Sequence, residues 1–228
     1  TEALCDLIIA QPVAEDQKNK NILFEDWEEL RKKILDSDAL KAAKKILAPL
    51  KVLHFPIAFP EVFLGRSKGF NVILGNPPWE EVKAEERDYW TGLFPGLRGL
   101  PQREQVQNWD ALSESRPDLK RMWLQIETST NNLATLLKNG NFPGLEIGDI
   151  DLYKAFCWRF WNITSNQIGN IGVVLPRSAV AAKGSELFRK KLYEVANSID
   201  ITTLQNTGKW IFEMEPRYTI LLVIINFL

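Results

Sequence analysis

Apolar residues recur at intervals of three and four through the first part of the chain. From residue 70 they instead gather into short unbroken runs separated by amphipathic stretches. Leu4, Leu7 and Ile8 have helical spacing, and Pro12 closes that segment. Trp27, Leu30, Ile34, Leu35, Leu40, Ala43, Ile46 and Leu47 mark an amphipathic helix over residues 24–47, with a break near Asp36-Ser37-Asp38. Pro49, Pro56 and Pro60 follow, so the stretch HFPIAFPEVF is expected to be extended and irregular.

Beyond that point strand and helix alternate. Strands are predicted over 70–75, 171–175, 199–204 and 218–227, and helices over 149–162 and 185–196, the first with Leu152, Tyr153, Phe156 and Phe160 on one side. Short, wholly apolar strands between amphipathic helices predict an α/β sheet with helices on both faces. Residues 80–148 interrupt the alternation with a charged, tryptophan-containing segment too long for an ordinary connection, hence a largely helical insertion. The expected organisation is an N-terminal helical and extended segment over 1–69, then a domain over 70–228 that carries this insertion.

Composition narrows the class. With 45% hydrophobic and 25% charged residues the 228-residue chain has the balance of a folded globular protein, and its net charge of -1 offers no overall attraction to nucleic acid. Cys5 and Cys157 form neither a disulfide framework nor a paired-cysteine metal signature, which suits a reducing compartment, the cytoplasm by default. The run YTILLVIINFL is shorter than the roughly 20 residues a membrane helix needs, and TEALCDLIIA lacks a basic leader. The chain also lacks a starting methionine and reads as part of something longer. No carboxylate pair or histidine cluster has metal-ligand spacing, so no metal is expected.

The candidate chemistry lies in FNVILGNPPW, residues 70–79. In an open α/β sheet the ligand crevice lies beyond the carboxyl ends of the strands, where Asn76 falls. Its side-chain carbonyl is a neutral acceptor. Pro77 and Pro78 have fixed φ angles and no N–H, so they hold a main-chain carbonyl in a set direction. Two acceptors on one rigid turn suit a planar NH₂ group, whose lone pair is otherwise delocalised into its ring or carbonyl. Accepting both hydrogens favours a tetrahedral nitrogen and stabilises the positive charge that grows on it during attack. Trp79 offers a face on which a base can stack, which a base reaches only once flipped out of a duplex. The simpler alternative is a stiffened turn with Trp79 in the core. Asn-Pro-Pro-aromatic arises by chance only about once in several hundred chains of this length, which favours the functional reading.

These residues resemble the amino-directed, S-adenosylmethionine-dependent DNA methyltransferases, whose signature is Asp/Asn/Ser-Pro-Pro-Tyr/Phe/Trp after a strand. FPIAFPEVF followed by GFNVILGNPPWEEVK looks like the large bacterial adenine methylases of type IIG restriction-modification and related phage-defence systems. GDIDLYKAF, GNIGVVLPRSAVAAKGSELFRKKL and KWIFEMEPRYTILLVIINF look like their later segments. The resemblance implies a partial Rossmann-like methyltransferase sheet, its C-terminal strands. It also implies transfer of a methyl group to N6 of a flipped adenine in double-stranded DNA.

Under it, Asn76 and Pro77 hold the target amine, Trp79 stacks on the base, and Pro78 and Phe212 complete the substrate site; Phe212 equally serves as a loop staple. The family's glycine-rich cofactor turn has no counterpart upstream, where the only glycines are Gly65, Gly69 and Gly75. Cofactor-binding residues are therefore unassigned, and the cofactor-binding and target-recognition segments are expected elsewhere in a parent chain.

Lys183, Arg189, Lys190 and Lys191 are candidates for phosphate contacts, or a solvated helix face. Asp149 and Asp151 are candidate caps for the helix near Leu152. The alternatives are methylation of another planar amine (cytosine N4, an RNA adenine, a protein glutamine), or a non-catalytic fragment that binds DNA or a partner.

Overall fold

The protein is described by a computed structural model that covers residues 2–3, 5–6, 32–66, 68–140, 142–165 and 167–227. Trp27 and Leu30, and Leu4, Leu7 and Ile8, lie outside these residues. The chain divides into two compact units, Thr1–Val82 with Thr135–Leu228, and Lys83–Ala134.

In the first unit the break expected near residue 37 is present. Residues 32–35 are helical, the chain turns at Asp36, and helix α1 (Asp38–Leu47) starts afresh with Ser37 as its cap, whose hydroxyl oxygen accepts from the Leu40 amide at 3.2 Å. Its apolar stripe buries Ala43 and Leu47 against Leu136.

The proline-rich stretch is not extended. It forms two one-turn helices, Phe55–Ala58 and Pro60–Phe63. Pro56 and Pro60 sit in the first turn of each, where a missing N–H costs nothing because that position has no intrahelical partner. Phe55, Phe59 and Phe63 thereby fall on one side and surround Phe70, with ring centroids 6.3, 5.6 and 5.6 Å away. This cage fixes the chain at the entrance to strand β1 (Val72–Gly75).

The second unit holds helix α2 (Glu86–Leu93), helix α3 (Gln102–Ser115) and most of helix α4 (Pro117–Asn139). Trp90, Leu97 and Trp109 form its buried centre, so the tryptophans of the charged segment are core residues. Arg116 donates through Nε and Nη2 to the Asp118 carboxylate (3.0 and 2.7 Å), which brings that carboxyl down to about 2.

Helix α5 (Leu152–Ile163), strand β2 (Asn170–Pro176), helix α6 (Glu186–Val195), strand β3 (Ser198–Gln205) and strand β4 (Thr219–Asn226) complete the first unit. The fold class is α/β. The four strands lie in the order β1-β2-β4-β3; β1 runs parallel to β2, and β4 is antiparallel to both its neighbours. One face carries Ile171, Val173 and Leu175 of β2 opposite Ile225, Val223 and Leu221 of β4, all buried under Tyr153 and Cys157 of α5 and Leu192 of α6. Burial pushes the Cys157 thiol up to about 12, so it serves packing and no nucleophilic chemistry at neutral pH.

The cover that α5 and α6 provide lies on this one face. The order β1, β2, then β3 proceeds in one direction across the sheet, and successive crossovers of the same hand lay their helices on the same side. Side chains of the opposite pleat are exposed among the described residues: Val72 at 58%, Leu74 at 80% and Ile224 at 50%.

Candidate functional site

Strand β1 stops at Gly75, whose missing side chain would sit 3.5 Å from the Phe160 ring of α5, and the next residues leave the sheet. Asn76 is exposed, Pro77 is buried, Pro78 is exposed and Trp79 is half-buried. All four line an open cleft of about 780 Å³ at the carboxyl ends of β1 and β2, within the size range of small-molecule and base sites. Pro176 and Ser178 at the end of β2, and Phe212, Glu213 and Tyr218 from the β3–β4 loop, line it too.

Among the described residues the Asn76 side chain and the Pro77 carbonyl take part in no hydrogen bond, so both acceptors remain available. A free carboxamide acceptor beside a proline carbonyl can receive two N–H donors from one planar group.

Trp79 is set differently from a free-standing platform. Its ring packs against the core cluster that contains Tyr153 and Cys157, and it meets Phe212 edge-on, centroids 6.2 Å apart at 76°. Among the described residues its indole N–H is buried without a partner, as is the Tyr153 hydroxyl, and both residues line the cleft. The segment after Trp79 is pinned to the start of α5: Leu152 N donates to Glu80 O (2.9 Å), Val82 N to Ile150 O (2.8 Å), and Glu81 bridges Asp151.

Two features were not anticipated from the sequence pattern. Lys154 is buried and reaches back to the Asp151 carboxylate (2.9 Å) and the Asp149 carbonyl (2.7 Å). Asp151 is the N-cap of α5 by position, yet its side chain makes no capping bond; Lys154 takes it instead, because a buried ammonium needs a counter-charge more than a helix start needs a cap. The other is Asn206, fully buried, whose carboxamide binds the backbone of Ile211 and Phe212. A cationic group one helical turn after an aspartate is a readable signal for the first; an isolated asparagine gives none for the second.

The basic candidates are not in the cleft. Arg189 donates to the carbonyls of Ala182 (2.7 Å) and Ala179 (3.5 Å), closing the turn before α6, and Lys183 is exposed away from the lining. The charged side chains that line the cleft are Glu80, Asp151 and Glu213, so its floor suits a neutral amine-bearing group and not a phosphate. Among the described residues no group of three His, Cys, Asp or Glu side chains is placed to hold a metal ion.

A mixed sheet whose last strand is reversed and inserted beside β2, with an Asn-Pro-Pro-Trp turn at the carboxyl end of β1, is consistent with a partial Rossmann-like methyltransferase fold. Comparison with known families adds to this: residues 5–105 match the model of the Eco57I restriction-modification methylase family. The matched stretch takes in the phenylalanine cage, β1 and Asn76 through Trp79. The similarity supports a DNA methyltransferase of a restriction-modification system. No curated protein and no solved structure matches the chain. No helix among the described residues is long and apolar enough to cross a membrane.

Proposed function

We propose that this chain carries the target-amine site of a DNA adenine-N6 methyltransferase of a bacterial restriction-modification or phage-defence system, acting on a base flipped out of double-stranded DNA. The observation that carries the reading is the free Asn76 carboxamide at the mouth of a base-sized cleft walled by Trp79 and Phe212. Asn76 and the Pro77 carbonyl accept the two hydrogens of the exocyclic amine. The nitrogen lone pair is thereby turned out of the ring plane, and the acceptors stabilise charge that develops there. The aromatic pair fills the space beside the ring, and the carboxylates of Glu80 and Glu213 add a field that favours a nitrogen gaining positive charge.

S-adenosylmethionine, the donor implied by the family similarity, supplies an electrophilic methyl group when bound. The described residues do not fit it: ahead of Asn76 there is a helix, two helical turns and the phenylalanine cage, with no strand leading into a glycine-rich turn. The exposed Val72, Leu74 and Ile224 and the outer edge of β1, unpaired among the described residues, suit a cofactor-binding half furnished by other sequence, and this chain alone is inactive.

In the full-length protein Asn76→Ala is expected to lower methyl incorporation into DNA by at least about a hundredfold, the usual scale for losing one preorganised partner of a developing charge. The fold, followed by circular dichroism, is expected to be unchanged. Retained activity in this variant rejects the mechanism. Mass spectrometry of nucleosides from the methylated DNA distinguishes N6-methyladenine from N4-methylcytosine.

A further inference from the structure

We infer that Asn206 is the positioning residue that sets the Phe212 ring as a wall of the cleft; this deepens the amine-methylation reading and rests on it. Asn206 directly follows β3 and has 0% exposure. Its Oδ1 accepts from the amides of Ile211 (3.1 Å) and Phe212 (3.2 Å), and its Nδ2 donates to the Phe212 carbonyl (2.8 Å). Both polar groups of the Phe212 backbone are thus bound to one side chain. The direction in which that residue projects its ring is set by the asparagine and not by a strand or helix.

The loop needs such a device. Gly208 and Lys209 have φ of 78° and 60°, and a left-handed lysine persists only where its surroundings hold it. The Lys209 amide donates to the Asn206 carbonyl (2.9 Å), so the side chain and main chain of one residue close the loop on both sides. The chemistry also selects asparagine. A carboxamide presents an acceptor and a donor in one plane; aspartate retains only the acceptor, and alanine leaves the Ile211 and Phe212 amides unpartnered, while the Phe212 carbonyl keeps only the Met214 amide (2.8 Å). The Phe212 ring then meets Trp79 edge-on, and both line the cleft with Asn76.

Two measurements test this. The first is amide hydrogen exchange on the full chain. In the native protein the Ile211 and Phe212 amides are protected, and Asn206→Ala speeds both by about tenfold or more, the consequence of losing their hydrogen bonds. Asn206→Asp, which retains an acceptor oxygen, keeps a good part of the protection.

The second is methyl incorporation from S-adenosylmethionine into unmodified duplex DNA by the full-length protein. Asn206→Ala and Phe212→Ala each lower kcat while KM for S-adenosylmethionine stays put, Asn206→Asp falls in between, and the double variant is no worse than Phe212→Ala alone. Losses that multiply in the double variant overturn the inference, as does native-like behaviour of both Asn206 variants in both measurements. If Asn206→Ala does not fold, Asn206→Asp decides: intermediate exchange and intermediate kcat support the assignment, native values in both overturn it. A native protein that methylates no DNA rejects the underlying reading; exchange then decides the role of Asn206 in the loop, and unprotected Ile211 and Phe212 amides overturn it.

Discussion

Gly69 shows how much a single residue decides about the position of the site. Its φ is 151°, and a Cβ there would lie 2.7 Å from the Ser165 amide nitrogen and 2.8 Å from the Thr164 carbonyl carbon. The close approach exists because Phe70 exchanges hydrogen bonds with the chain leaving α5: Phe70 N donates to Ile163 O (2.8 Å) and Ser165 N donates to Phe70 O (2.9 Å). Gly69→Ala is therefore expected to destabilise the protein by at least about 2 kcal/mol, through backbone strain and collision with main-chain atoms that have no freedom to retreat. Urea unfolding measures this, and an unchanged midpoint would show that the strand entrance relaxes freely. Asn76 and Asn206 make a complementary pair at the same scale. The first leaves its carboxamide unspent among the described residues and the second commits both its oxygen and its nitrogen to the loop, so identical side chains have opposite roles.

At the level of elements, the stretch HFPIAFPEVF is explained by what its phenylalanines do together. Prolines in the first turn start two short helices, and the resulting spacing brings Phe55, Phe59 and Phe63 around Phe70 in edge-on contacts. Such pairs add roughly 0.5–1.5 kcal/mol each beyond the area they bury. Phe70→Ala is expected to lower stability by about 2–4 kcal/mol, with Phe70→Leu losing less than half of that, as measured by chemical denaturation. A Phe70→Ala loss below the lower figure would mean that the cage contributes little. Because β1 begins two residues later, the same substitution loosens the strand that presents Asn76.

For the whole molecule, the sheet is a half-covered structure. Among the described residues β1 has a paired edge against β2 and an unpaired one outward, and the face away from α5 and α6 exposes Val72, Leu74 and Ile224. Apolar area of this kind stabilises a complex when covered and promotes association when bare. Under the proposed division of labour the acceptor site is on this chain and the donor site is not. Titration calorimetry of the chain with S-adenosylmethionine is thus expected to give no measurable heat of binding. Binding with a dissociation constant in the micromolar range would move the donor site onto the residues present here.

The sequence by itself determined the alternation of strands and helices after residue 70, the break before α1, the helical character of residues 80–148 and the identity of the turn at Asn76. All of these rest on local periods and on residues such as proline whose conformational limits hold in any context. It misjudged HFPIAFPEVF because proline excludes a helix interior yet suits a helix start, and only the packing of three rings on Phe70 decides between those. It was silent on Asn206, gave only a local hint of the Lys154 pairing with Asp151, and expected helices on both faces of the sheet where α5 and α6 cover one. Asn206 binds backbone only five and six residues away, but a loop of that kind has no period to read, and the one-sided cover depends on how successive crossovers turn, which is decided only when the strands are ordered in the sheet. The tertiary structure alone brought Phe212 against Trp79 across 132 intervening residues and so turned a stiff, aromatic turn into one wall of a cleft.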